Sequence, residues 1–127
     1  MKYIVDTHAF IWYAIGDKRL SPKALRLLES DNEKFISIAS IWEMAIKVNL
    51  GHLEFKNSFD EIVSNQIDLL NYRILNIDLE HLFKVSAMEL HHRDPFDRLI
   101  VSQALVEKIP IISVDEKFDN YGIERIW

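Results

Sequence analysis

Apolar positions along this chain alternate between short continuous runs and stripes at helical spacing. Lys2-Tyr3-Ile4-Val5 is a near-continuous run, as expected of a strand buried on both faces. A helix is predicted from Thr7 to Ile15, rich in aromatics and broken by Gly16-Asp17. Ser21-Pro22 then supplies an N-cap and a first helical residue for a second helix carrying Ala24, Leu25, Leu27 and Leu28. Lys34 to Ser37 reads as the second strand. Helices follow from Ile38 to Leu50, capped by Gly51, and from Ser58 to Leu70. Arg73 to Ile77 is the third strand, Asp78 opens a fifth helix reaching Leu90, and the sixth runs from Pro95 to Lys108. Ile111 to Val114 makes a fourth strand and Ile123 to Trp127 a short fifth. This alternation predicts one α/β domain, residues 1–127: a parallel sheet of four or five strands with helices on both faces.

Composition narrows the chemistry. With 127 residues, 49% of them apolar and only three Gly and three Pro, the chain can bury a real core and needs no disordered segment. No cysteine is present, so disulfides and thiolate metal sites are excluded. No apolar run has the length of a membrane span, and Asp6 interrupts the N-terminus too early for a signal peptide. The expectation is a cytoplasmic protein. The net charge of −5 speaks against a general nucleic-acid binder. Two bound divalent cations would bring it to about −1, and a local basic rim would then suffice to hold phosphate.

Five acids carry the candidate chemistry. Asp6 and Asp115 each end a strand-like run, where open parallel sheets bind ligands. Each equally suits a helix cap or a turn. Glu43 has Ala39, Ile46, Lys47 and Leu50 as neighbours in helical projection, so it lies at or near an apolar face. Either a cation serves it there or it pairs with Lys47 one turn on; on the helix alone the pair is the simpler account. Arg93-Asp94-Pro95-Phe96-Asp97-Arg98 sets two carboxylates three residues apart at a helix start. Capping explains Asp94 well and Asp97 less uniquely. Thr7 and Ser113 adjoin the strand-end acids and can bond to them or cap turns.

Oxygen donors without sulfur point to a hard ion, Mg2+ or Mn2+. His8 and the pair His91-His92 also lie beside acids, but no helix carries histidines at metal-ligand spacing, and adjacent loop histidines are more often surface residues. Lys47, Arg93 and Arg98 are the candidates for phosphate contact. Phe10, Trp12, Tyr13 and Trp42 are either core residues or stacking platforms for single-stranded bases.

Together these segments resemble the PIN-domain family, specifically its VapC-like toxin ribonucleases. The resemblance covers nearly the whole chain. It rests on Val5-Asp6-Thr7-His8-Ala9 with Trp12, on Ser37 to Lys47 with Leu50-Gly51, on His91 to Ile100, on Ser113-Val114-Asp115, and on Tyr121-Gly122-Ile123 with Trp127. It implies a three-layer α/β/α sandwich. It also places the family's four metal-binding acids on Asp6, Glu43, Asp97 and Asp115, with Asp94 as a further member of the Asp-Pro-Phe-Asp motif. The family often has Thr-Arg-Asp at the fourth acid; here Ser113-Val114-Asp115 keeps a hydroxyl and lacks the base.

The resemblance implies an endoribonuclease using one or two Mg2+ or Mn2+ ions, an antitoxin partner laying an amphipathic segment near Phe10-Ile11-Trp12-Tyr13, and a homodimer. A DNA or structure-specific nuclease of the same fold, and a catalytically silent interaction module, remain alternatives. A dehalogenase-like phosphatase needs an acid two residues after Asp6, where His8 stands. A receiver domain needs a paired acid after the first strand and a lysine after the last, and neither is in place.

Overall fold

The computed structural model describes residues 1–127. Five strands form one parallel sheet: β1 (Lys2–Val5), β2 (Glu33–Ser37), β3 (Tyr72–Leu75), β4 (Ile111–Ile112) and β5 (Arg125–Ile126), in the order β3-β2-β1-β4-β5. The register pairs Val5 with Ile36 on one side and with Ile112 on the other. Helices α1 (Thr7–Ile15), α2 (Pro22–Leu28), α3 (Ile38–Asn49), α4 (Phe59–Leu70), α5 (Leu79–Ala87) and α6 (Pro95–Glu107) cover it.

Side chains alternate across the strands, so the sheet divides the core in two. Tyr3, Val5, Ile36 and Ile112 pack with Phe10 of α1, Leu28 of α2, Met44 of α3 and Leu70 of α4. Ile4 and Ile111 face the opposite layer, with Leu99, Ile100 and Ala104 of α6. The result is a three-layer α/β/α sandwich. No helix is long and apolar enough to cross a membrane.

Several boundaries differ from the sequence expectation. The third strand stops at Leu75, not Ile77, and the fourth at Ile112, not Val114. Helix α5 ends at Ala87 because Met88 turns extended, leaving a loop through Asp94 where helix was expected to Leu90. Glu116–Tyr121 forms a 3-10 turn that the apolar pattern does not announce. Gly51 does close α3. With φ at +76° it permits the paired bonds His52 N–H to Lys47 O, 2.8 Å, and Gly51 N–H to Val48 O, 3.1 Å.

One buried amide fixes α6 to the sheet. Ser37 caps α3 and donates its hydroxyl to Gln103 Oε1 at 2.5 Å. Gln103 Nε2 in turn donates to Asn76 O at 3.2 Å. This sets the height of α6, and so of Asp97 in its first turn, against the strand ends.

Candidate active site

The strand order reverses at β1, which has β2 on one side and β4 on the other. A crevice beyond the strand ends is expected at such a switch point. Asp6 follows β1 directly and is 2% exposed. Its Oδ1 accepts from the Thr7 amide at 2.8 Å, capping α1, and its Oδ2 accepts from Ser113 Oγ, beyond β4, at 2.7 Å. Asp115 divides its oxygens in the same way: Oδ1 caps the 3-10 turn through the Lys117 amide at 3.0 Å, and Oδ2 meets His92 Nε2 at 2.9 Å. Capping thus occupies only one oxygen of each acid; the other oxygen meets a residue distant in sequence.

Glu43 is 4% exposed on the inward side of α3. Its Oε2 pairs with Lys47 Nζ at 3.1 Å, whereas its Oε1 is buried with no partner. The Lys47 pair therefore exists but serves only half the carboxylate. Asp94 is the cap of α6, accepting from Phe96 N at 2.8 Å and Asp97 N at 3.4 Å. Asp97, three residues on, has Oδ2 3.0 Å from His92 Nε2.

Electrostatics record the convergence. Burial, joined by the charges of Asp6, Asp94, Glu43 and Asp115, pushes the Asp97 carboxyl up to about 8. Burial also raises Asp6, against the lowering effect of the Ser113 hydroxyl. Asp115 is itself partly desolvated, yet the Lys117 amide and His92 outweigh this and hold its carboxyl below the ordinary range. The carboxylates of Asp6 after β1, Glu43 on α3, Asp97 on α6 and Asp115 after β4 thus lie close enough for the other three to act on the charge of Asp97. An unpartnered buried oxygen and mutual repulsion both call for positive charge there. The donor set is almost wholly oxygen, which fits a hard dication, and Asp6, Glu43, Asp97 and Asp115 are the residues able to hold it.

The remaining candidates divide. Ser113 spends its hydroxyl on Asp6 and so braces that acid, whereas Thr7 donates its own to Ser40 Oγ at 2.9 Å and meets Asp6 only through its amide. Lys47 is engaged by Glu43, Arg93 is exposed, and Arg98 buries an Nε with no partner. Phe10 and Ile11 are core residues and leave only Trp12 and Tyr13 to border a cleft of about 460 Å3, shared with Gly16, Leu20 and Leu25. Trp42, beside Glu43 in sequence, is 56% exposed and stands edge-on to Phe96 at 4.9 Å.

Two contributors escape the sequence patterns. His92 is buried, unlike its exposed neighbour His91, and lies between Asp97 and Asp115. Arg125 of β5 donates to Ser113 O at 3.2 Å while bound to Asp119, so a guanidinium does approach the fourth acid, from another strand. Dipeptide repetition in a loop gives no sign of which histidine turns inward. The position of Tyr121, whose hydroxyl anchors that loop, is a clue only once the fold is known.

The PIN-domain family model matches residues 3–124. Among solved structures, the chain is similar to one described as VapBC2 from Rickettsia felis bound to a DNA fragment from their promoter. That match has 15% identity and a TM-score of 0.74, covering 99% of this chain and 98% of that one. A toxin–antitoxin complex from Klebsiella pneumoniae is similar at 18% identity and a TM-score of 0.62, covering 91% and 89%. No curated protein matches the chain in sequence.

Proposed function

The chain belongs to the PIN-domain family, and from that premise we propose that it is a divalent-metal-dependent endoribonuclease, the toxin of a toxin–antitoxin pair. The observation that carries the reading is the buried, unpartnered Glu43 Oε1 in a hollow where Asp97 is crowded by Asp6, Asp94, Glu43 and Asp115. Mg2+ or Mn2+, one or two ions, would supply an activated water and positive charge at the scissile phosphodiester.

The chain's own residues do the rest. Asp6 is held by Ser113 and the Thr7 amide with little freedom to turn. Glu43 has Oε1 free for an ion while Lys47 holds its other oxygen. Asp97 and Asp115 would complete the ligand set, each with Oδ2 beside His92 Nε2. No side-chain nucleophile is needed, which suits a chain without cysteine. Of the three candidate cations, Arg93 and Arg98 are not paired with an acid and are the ones available to phosphate, while Lys47 would first have to release Glu43; of the candidate aromatics, Trp42 is the exposed one, on which an unpaired base would stack.

Full-chain cleavage assays with Mn2+ test the reading. Single-stranded RNA should be cut, and cutting should vanish in Asp6→Asn and Asp97→Asn. Cleavage of DNA with RNA left intact would shift the substrate to DNA. No cleavage and no Mn2+ binding would leave a silent interaction module.

The VapC-like resemblance and the fold shared with toxin–antitoxin complexes support an antitoxin partner and a homodimer, acting on cytoplasmic RNA. The cleft at Trp12, Tyr13, Leu20 and Leu25 is the place for an amphipathic partner segment, helix-in-groove style. Co-purification with a small neighbouring-gene product, and sedimentation of the free protein, check these points.

A further inference from the structure

His92 has the geometry of a device that sets the acids. Its side chain is 10% exposed, deep for an ionisable group in a loop. The backbone that carries it is pinned: the Tyr121 hydroxyl accepts from the His91 amide at 3.0 Å and the His92 amide at 2.9 Å. The His91 ring also stands edge-on to Tyr121, with centroids 5.0 Å apart. Tyr121 belongs to the 3-10 turn that begins after Asp115. One hydroxyl therefore ties the loop before α6 to the segment that carries the fourth acid.

The two ring nitrogens are distinguishable. Nδ1 accepts from the Asp94 amide at 3.3 Å. A proton on Nδ1 would face another N–H, so the ring proton belongs on Nε2. Nε2 lies 2.9 Å from Asp115 Oδ2, with hydrogen-bond geometry, and 3.0 Å from Asp97 Oδ2. A nitrogen that carries a proton cannot also ligate a cation. The three groups lie close enough to be taken for a histidine–carboxylate metal triad. The Asp94 amide argues against that arrangement, because ligation through Nε2 would require Nδ1 to give up its acceptor role.

Resting on the metal-site reading above, we propose that His92 is a positioning residue: its Nε2–H, aimed through the Tyr121 anchor, fixes Asp115 against Asp97 and so sets the affinity of the acid pocket for a divalent ion. Outer partners of this kind typically tune metal affinity by roughly 10- to 100-fold.

Mn2+ titration of the full chain by calorimetry, with electron spin echo modulation of the bound Mn2+, tests the proposal. His92→Leu should weaken Mn2+ binding by roughly 10- to 100-fold. His92→Gln, which can return an amide N–H near the place of Nε2, should recover most of it. Tyr121→Phe, which leaves every group in the pocket intact, should weaken binding in the same direction by less. Unchanged affinity in His92→Leu overturns the proposal; should that variant fail to fold, unchanged affinity in Tyr121→Phe overturns it. A coupling from directly bound imidazole nitrogen in the wild type also overturns it, making His92 a ligand. A wild type that binds no Mn2+ fails the metal-site reading itself, which is visible before any variant is compared.

Discussion

Ser113 Oγ donates to Asp6 Oδ2 at 2.7 Å, across the seam between β4 and β1. The bond keeps a nearly inaccessible carboxylate in one rotamer and offsets part of its desolvation. Ser113→Ala should therefore raise the Asp6 carboxyl further and weaken Mn2+ binding, as read by calorimetry. Leaving a buried polar group without its partner costs about 1–3 kcal/mol, which urea unfolding near pH 7 without metal should register.

Asp97 should give the metal-free protein a recognisable pH dependence. Its carboxyl holds a proton more tightly in the fold than in the unfolded chain, up to about 8 from an ordinary 3.8. The associated stability is complete below about pH 4 and drains away as pH climbs towards 8. Asp115, held low by the Lys117 amide and His92 against its burial, contributes in the opposite sense: its share is present above the ordinary carboxyl range and is lost in acid. Urea unfolding in EDTA should show stability falling between pH 5 and 8. Asp97→Asn should flatten that fall and be the more stable protein at pH 8.

Saturating Mn2+ should reverse the fall for the wild type, since ligand that binds only the folded state stabilises by mass action, about 2.7 kcal/mol at a hundredfold excess over Kd. Asp97→Asn should gain less from the same addition. Thermal melts at pH 8, with and without Mn2+, measure the difference.

Lys47 holds one oxygen of Glu43 at 3.1 Å while its own side chain is 38% exposed. Lys47→Met should destabilise the metal-free protein by about 1 kcal/mol, well under the cost of breaking a fully buried pair because water screens the lysine end. Glu43→Gln in the same background should recover most of the loss. A double-mutant cycle by chemical denaturation reads the coupling.

Trp42 is largely exposed and touches Phe96 edge-on. Trp42→Ala should raise KM for single-stranded RNA, since a stacked base is worth about 1–3 kcal/mol. Stability should fall by no more than the aromatic pair is worth, about 0.5–1.5 kcal/mol. Equal losses in kcat with KM unchanged would remove Trp42 from substrate binding.

Much of the architecture was legible because it depends on local rules. Apolar runs marked the buried strands, and Ser21-Pro22, Asp94-Pro95 and Gly51 marked helix ends through capping and φ preference. The strand-end acids were legible for the same reason: parallel sheets bind at one edge. What escaped depends on contacts distant in sequence. Helix α5 was drawn too long because Met88 to Leu90 fit its apolar stripe, whereas the Tyr121 hydroxyl draws His91 and His92 into a loop. His92 looked like surface because neither residue of a His-His pair carries a local sign of burial. From the helix alone Glu43 suits either Lys47 or the acid cluster; its packing gives Lys47 one oxygen and leaves the other buried without a partner.

The bond between Ser113 and Asp6 spans 107 positions of chain. A ribosome emits Asp6 about a hundred residues before Ser113, so the two cannot meet until β4 has emerged. Any chemistry of the acid cluster is then withheld from the nascent polypeptide by topology alone. A partner recognising the Trp12 cleft, built from α1 and α2, could engage before the active centre exists.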